Sequence, residues 1–485
     1  MKKLYIMKRV YLVVAILAIF IISCQTDSPL QNKLVENKDL LLYTTGNLVT
    51  IDEAMSNLDL FMQDLYGESR SGKHRKYSVD NVIAYSIPKS TRSVVNVDLP
   101  DTLVYIVPFE DASGYAILGA QRNMSPIYSV VEKGVFNFEK FSNAIDSEIN
   151  NNIISRSEYL ERMIQEECVE CLEYAVDSES FTYGMTANAI IGDAIKDPVI
   201  LNPSPDISEI TPGGPVVVAR ESKVGYEFVE YVAPMVKTAW HQYSPLNTYC
   251  KDKDGAICPV GCVVIAVAQI LAYHEYPRNK AFNNVVVDWS LVKALDVYDY
   301  DENKVDSESA IAANQLANLC FELGKKEYCN VKYATDGTPT TIYKAKDALS
   351  KLEYKNLDIR LGFAKGDREV AYNQLREGEL VFMKAATSNS AHAWVVDGFV
   401  VRKPKIVETT YYSDGTKTSK TTYDSNQELI HINWGWNGYY DGYYISQADI
   451  DVNDVYEQIT NSLPMEGGES PFHYIVSFKI LTYDL

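Results

Sequence analysis

The chain has 485 residues, too many for one ordinary domain and enough for two or three with sizeable cores. Its formal net charge of −20 argues against a nucleic-acid binder, and 46% apolar residues with 35 tyrosines mark a globular protein.

The N-terminus reads as a targeting segment. Lys2, Lys3, Lys8 and Arg9 form a basic head, and Val10 to Ile22 is an apolar run too short to span a bilayer. Ile21-Ile22-Ser23-Cys24 resembles a bacterial lipobox, which makes Cys24 the expected lipidation site and 1–24 a lipoprotein-type signal peptide. The chain contains eight cysteines, and removing Cys24 leaves an odd number, so at least one thiol is unpaired. Cys168-Val-Glu-Cys171 has zinc-type spacing, but no second pair matches it and no histidine lies near, so no metal is expected. Cys250 and Cys258 flank a short polar loop, and their spacing allows a disulfide.

Residues 27–42 read as a polar tether, and Ile51 to Tyr66 has helical spacing that breaks at Gly67. A basic loop follows from Ser69 to Lys76. Strand patterns then cover Asn81–Ile87, Leu103–Val107, Tyr115–Leu118 and Pro126–Val131, the middle two joined as a hairpin. Phe138 to Ala175 reads as one long, polar amphipathic helix. The Pro- and Gly-rich stretches at 202–206 and 211–215 mark a domain boundary between about 200 and 230.

Apolar residues run from Val263 to Leu271 with small residues among them, and Pro277 closes the segment, which predicts a buried helix. Cys262 stands at its first turn behind Gly261. Free N–H groups and the positive end of the helix dipole there favour thiolate and pull a thiol below its usual ~8.5. An acidic loop from Asp296 to Glu308 reads as solvated surface, and Ala310 to Leu323 as helix. Strands follow at Leu380–Met383, at Ala393–Val396 ending on Asp397-Gly398, and at Leu429–Asn433. Val407 to Thr422 predicts a projecting hairpin around Asp414-Gly415, and Tyr474–Ile480 a closing strand. Helices first and an antiparallel sheet second give α+β.

A cysteine nucleophile needs a base, a group that orients the base, and donors for the oxyanion. His392 lies among small residues at the start of a buried strand, whereas the other histidines lack such a setting. In His431-Ile-Asn433-Trp434-Gly-Trp436, an asparagine carbonyl can accept an imidazole N–H while an indole shields that bond. Gln242, upstream of the cysteine, can donate to an oxyanion together with the Cys262 backbone N–H.

Four blocks, Trp240-His-Gln242, Gly261-Cys262-Val-Val, Ala391-His392-Ala393-Trp394 and His431-Ile-Asn433-Trp434-Gly-Trp436, together resemble the streptopain family of cysteine peptidases. The order Gln, Cys, His, Asn is that of papain-like thiol peptidases. The resemblance implies a papain-like two-lobed α+β peptidase domain, made as a zymogen behind a small α+β prodomain. On that reading 25–215 holds tether, prodomain and linker, and 216–485 is the peptidase domain. Cys262 would be the nucleophile and His392 the base. Gln242 would be the oxyanion donor, and Asn433 with Trp434 would orient and shield the histidine. Expected partners are protein or peptide substrates, the chain's own prodomain as inhibitor, and a membrane reached through the lipid. No cofactor is implied. Three departures touch substrate preference: Ser390-Ala391 replaces the family's Gly-Gly, Asn437 stands where glycine is common, and the 400–428 insertion lies outside the pattern. The rival readings are an inactive surface-binding lipoprotein and an inhibitory protein that works through residues 25–215.

Overall fold

The computed structural model describes residues 48–66, 76–87, 99–110, 114–151, 178–194, 217–301, 303, 306–363, 365–386, 391–423, 425–446 and 477–485. Cys24, His74, Cys168, Cys171, Ser390 and His473 lie outside these residues, as do most of the expected tether and linker. Among the described residues no helix is long and apolar enough to cross a membrane.

The N-terminal part begins with helix α1 (Ile51–Tyr66), followed by strands β1 (Ile83–Tyr85), β2 (Val104–Pro108), β3 (Tyr115–Gly119) and β4 (Ile127–Val131). Period-two alternation sets their two faces. Val104 and Ile106 enter one core, while Tyr105 and Val107 meet Leu58 and Phe61 of α1 in another. The single helix expected over 138–175 is α2 (Phe138–Asn151), and a further helix, α3 (Ser178–Ala194), packs with it through Phe141, Ile145, Phe181 and Ile190. Residues 152–177 lie outside the description. Strand β5 (Val217–Val232) occupies part of the expected linker.

Helix α4 (Cys262–His274) is the predicted central helix, and every residue from Cys262 to Ala272 is buried. Its aliphatic side chains each contribute about 1.5–3 kcal/mol on burial. The short strands β6 (Ala281–Phe282) and β7 (Val285–Val286) form a separate ribbon. Helices α5 (Trp289–Ala294), α6 (Ser307–Gly324) and α7 (Ile342–Lys351) follow; α6 and α7 pack Leu316, Leu319, Ala345 and Leu349 around α4. Strand β8 (Lys355–Arg360) and helix α8 (Lys365–Arg376) lead into β9 (Val381–Ala386), β10 (Ala391–Tyr412), β11 (Lys417–Tyr423), β12 (Gln427–Asn433), β13 (Gly442–Ile445) and β14 (Ser477–Asp484).

Two details differ from the sequence reading. β10 does not stop at Asp397-Gly398 but runs on to Tyr412, absorbing that pair as an irregularity in its register with β12. A bulge lets a strand pass a residue that would otherwise break pairing. The Asn81–Ile87 strand shrinks to β1, its start taken up by a short 3₁₀ turn, Val79–Asn81, that Ser78 caps.

The main sheet is antiparallel in the order β1-β2-β3-β4-β13-β12-β10-β9-β14-β8, with β5 and β11 both pairing β10. The N-terminal strands therefore join the C-terminal sheet edge to edge, Gly442 opposite Val131 and Tyr444 opposite Ser129. Helices gathered on α4 and a sheet with its own cores give the two-lobed α+β architecture. A smaller unit, described over residues 217–224 and 406–422, is a β-ribbon turning at Asp414-Gly415, with Tyr412 N–H donating to Thr416 O at 2.9 Å.

The β4–β13 seam depends on Gly442, whose φ is +155° and whose added Cβ would stand 2.2 Å from Val130 O. Gly442→Ala in a Cys262→Ala background is expected to cost about 3 kcal/mol, a cost typical of overpacking. Gly225→Ala, a position with open space around it, should be nearly silent. Urea unfolding compares them, and equal midpoints would refute the close approach.

Candidate active site

Cys262 opens α4 because Gly261 takes φ +101°, and a Cβ at Gly261 would stand 2.9 Å from Thr338 O. Three hydrogen bonds fix the approach. Val260 N–H donates to Gln242 O at 2.9 Å, Thr338 Oγ1 to Pro259 O at 2.7 Å, and Asn247 Nδ2 to Cys258 O at 3.0 Å. Gln242, half-buried, is thus tied by its carbonyl to the residue two before Cys262. Cys250 and Cys258 are free thiols, Cys258 N–H donating to Cys250 O.

Cys262 is 7% exposed. The backbone N–H groups of Ala393, Val263 and Cys262 face its sulfur, yet burial outweighs them and pushes the thiol up to about 11. This corrects the expectation of a depressed value: the helix start supplies its donors, but desolvation of the thiolate is the larger effect.

His392 lies in β10 opposite Ala385 of β9 and is fully buried. Since a carbonyl only accepts, His392 Nε2 carries the proton it donates to Trp434 O at 2.9 Å, leaving Nδ1 as the basic nitrogen. Burial pulls this imidazole down to about 3 despite that bond. Its ring stacks on Trp436 at 4.3 Å and receives the edge of Phe181, from α3, at 5.7 Å.

Asn433 ends β12, one residue from the carbonyl that holds His392. Its Oδ1 accepts from Gln269 Nε2 at 2.7 Å and from Gly435 N–H at 3.1 Å, while its Nδ2 donates to Thr238 O at 3.0 Å. The imidazole N–H therefore ends on the Trp434 backbone and not on the Asn433 amide. Trp434 is buried, stacks on Trp436 at 5.0 Å and donates Nε1–H to Tyr440 O. Asn437 N–H donates to Trp240 O, tying this loop to the segment that carries Gln242. The structure thus gathers Cys262, the backbone beside His392, Asn433 and Trp434 at the junction of α4 and the sheet, with Gln242 bonded to the cysteine's loop.

Sequence reasoning gave no role to Gln269, Phe181 or Trp436. A polar residue inside the apolar run of α4 was a signal for Gln269; Phe181 had none, because its helix was not foreseen. Asn437 replaces the expected glycine at φ +63°, a left-handed conformation that asparagine tolerates.

A second buried cluster lies beside the loop. His431 Nδ1 donates to Asp397 Oδ1 at 2.6 Å, and Asp397 Oδ2 accepts from Val236 N–H. Asp441 Oδ1 accepts from Trp434 N–H at 2.8 Å, and Glu132 Oε1 approaches His431 Nε2 at 3.9 Å. Burial works against charge on His431, but Asp397, Glu132 and Asp441 overcome it and raise the imidazole to about 9. Burial likewise lifts Asp441 to about 7, against the Trp434 N–H and His431.

A buried helix opening on a cysteine, beside a strand-borne histidine backed by an Asn-Trp pair, is the arrangement of papain-like cysteine peptidases. The model of the Peptidase C10 family matches residues 240–444. Streptopain of Streptococcus pyogenes is 23% identical over 211 residues, 39% of this chain and 46% of that one. The chain thus spans less than half the length of the curated relatives it matches. Among solved structures, a prointerpain A fragment from Prevotella intermedia is similar, with 16% identity, TM-score 0.41, and 79% of this chain and 96% of that chain covered. Active interpain A gives 20% identity, TM-score 0.34, and 52% and 94% coverage. Residues 240–444 are thus similar to the Peptidase C10 family, to which the streptopain-like cysteine peptidases belong.

The His431 cluster sets a pH dependence. A raised folded value means that its stabilisation is full below the unfolded value of 6.5 and is lost as pH rises through about 9. His392, pulled down, acts in the opposite sense only below 6.5. The Cys262→Ala chain is expected to lose stability between pH 7 and 9.5. His431→Gln should cost about 3–5 kcal/mol at pH 7 and flatten that decline. Urea midpoints at several pH values measure both, and an unchanged slope in the variant would assign the decline elsewhere.

Proposed function

We propose that the chain is the precursor of an exported, lipid-anchored bacterial cysteine endopeptidase. Its anchor would be Cys24, its inhibitory part residues 25–215 and its peptidase domain 216–485. The observation that carries this reading is the Cys262 sulfur at the start of α4, faced by three backbone N–H groups, one of them from the residue after His392.

The chemistry follows from those atoms. Cys262 Sγ, deprotonated by His392, attacks the scissile carbonyl carbon, and its oxygen takes the negative charge between the Gln242 amide and the Cys262 N–H. The C–N bond breaks as His392 passes its proton to the leaving amine. Water, deprotonated by His392, then cleaves the thioester and restores the thiol. Protein and peptide substrates fit this reaction.

The intact chain is latent on this reading. A thiol raised to about 11 and an imidazole lowered to about 3 form a neutral pair, not the thiolate–imidazolium pair that attack requires. Phe181, within the proposed prodomain, lies edge-on to His392, Trp394 and Trp434 and helps to keep water from the ring. Loss of that cover admits water, relieves both shifts and frees the imidazole N–H to move one residue, from Trp434 O to Asn433 Oδ1.

Intact mass against time for residues 25–485 under mild reduction tests the reading. Loss of about the first 200 residues is expected in the wild type and not in Cys262→Ala, and His392→Ala should slow the process by about 100- to 10,000-fold. Phe181→Ala is expected to hasten it and to raise the alkylation rate of Cys262. Identical clipping of wild type and Cys262→Ala would sink the zymogen, and a chain inert before and after removal of its N-terminal part would sink the peptidase.

A further inference from the structure

Lys133 is the lysine just beyond β4, and its ammonium is held in a cage. Its Nζ stands 4.2 Å from the centre of the Tyr439 ring and 4.6 Å from that of Tyr298, and donates to Asn437 O at 3.2 Å. The two phenols close the cage, 3.5 Å apart at their oxygens. Two π faces and one carbonyl oxygen are the partners that select a cation. Asn437 also keeps a buried Oδ1 without a hydrogen-bond partner. Tyr298 comes from the acidic loop, flanked by Asp296 and Asp299, which adds a field favouring positive charge.

Backbone contacts with the loop continue past the end of β4. Glu132 N–H donates to Asp441 O at 2.8 Å and Tyr440 N–H donates to Lys133 O at 2.7 Å, beyond the last β4–β13 pair, Val131 with Gly442. An extended peptide laid on the same edge meets the same donors and acceptors, with its side chain at that register entering the cage. The edge belongs to the loop that flanks the site: Tyr440 O accepts from Trp434 Nε1, and Trp436 of the same loop stacks on His392.

We infer that Tyr298, Tyr439 and the Asn437 carbonyl form a substrate subsite for a lysine or arginine side chain, which Lys133 fills in the intact chain. This rests on the peptidase reading above. Lys133 then acts as a built-in substrate mimic, and its departure with β4 opens both the strand edge and the cage.

Two measurements test it. In the full-length Cys262→Ala chain, Lys133→Ala should let N-acetyl-lysine methylamide bind, read by ring-proton shifts of Tyr298 and Tyr439. The norleucine analogue should bind about 3- to 30-fold more weakly, the range of one cation–π contact. Equal affinity for the two amides, or equal lysine binding with Lys133 present, would overturn the cage. In the matured enzyme, peptides with lysine or norleucine scanned through each position should show one position with a lysine preference of similar size. Tyr298→Ala should bring that ratio close to one. Cleavage with no such position would overturn the substrate assignment. Inertness towards every peptide would instead remove the peptidase reading, and with it the substrate role, while the amide titration still decides whether the cage takes a cation.

Discussion

The desolvation of Cys262 is the constraint on which the rest depends. Opening a helix inside a core gives its sulfur three N–H donors and removes almost all of its water. A rise of about two pKa units corresponds to roughly 3 kcal/mol against the thiolate. On the precursor reading proposed above, the donors are built into the backbone and stay, whereas the burial changes when the N-terminal part leaves. On that reading, whatever covers the junction of α4 and the sheet decides whether the sulfur is an inert core residue or a nucleophile. That makes the cover, and not the cysteine, the variable part of the design.

The N-terminal part, the cover on that reading, shares the sheet of the site. β4 pairs β13, β13 pairs β12, and β12 ends on Asn433. The same seam carries the charge cluster in which His431 sits among Asp397, Asp441 and the N-terminal part's Glu132. One buried imidazolium shared among several carboxylates is stable only while the set is complete, since removing a member leaves an unpaired buried charge. Asp441 also accepts from the N–H of Trp434, the residue whose carbonyl holds His392. The seam and His392 thus meet at the N–H and the C=O of one residue, Trp434.

Much of this was legible in the residues. The apolar run after Cys262 could only be a buried helix, and four spaced blocks selected one kind of site. The hairpins at 104–119 and 406–422 followed from alternation and turn residues. What stayed hidden were facts about partners rather than propensities. Asn433 and His392 are each suited to the other, but Gln269, seven residues along α4, reaches the asparagine first. Asp397-Gly398 has the composition of a strand end, yet pairing with β12 resumes at Gly398 and carries the strand through it. Helix α3 mixes small and large residues without a sharp apolar stripe, so nothing local announced it, and Phe181 went unseen with it.

The loop from Trp434 to Asp441 explains why so few residues serve so many ends. Its indoles pack against His392, its Asn437 reaches back to Trp240, and its Tyr439 and Tyr440 receive the N-terminal part. A loop with left-handed turns at Gly435, Asn437, Gly438 and Tyr440 is held by its contacts more than by its own preferences. If β4 leaves, this loop loses the Lys133 cage contact, the Tyr440–Lys133 bond and the Asp441–Glu132 bond together. An extended peptide carrying a cation on the same edge restores the first two in kind. On that reading, the residues that hold the chain latent are the ones a substrate must satisfy, so inhibition and recognition become two occupants of one surface.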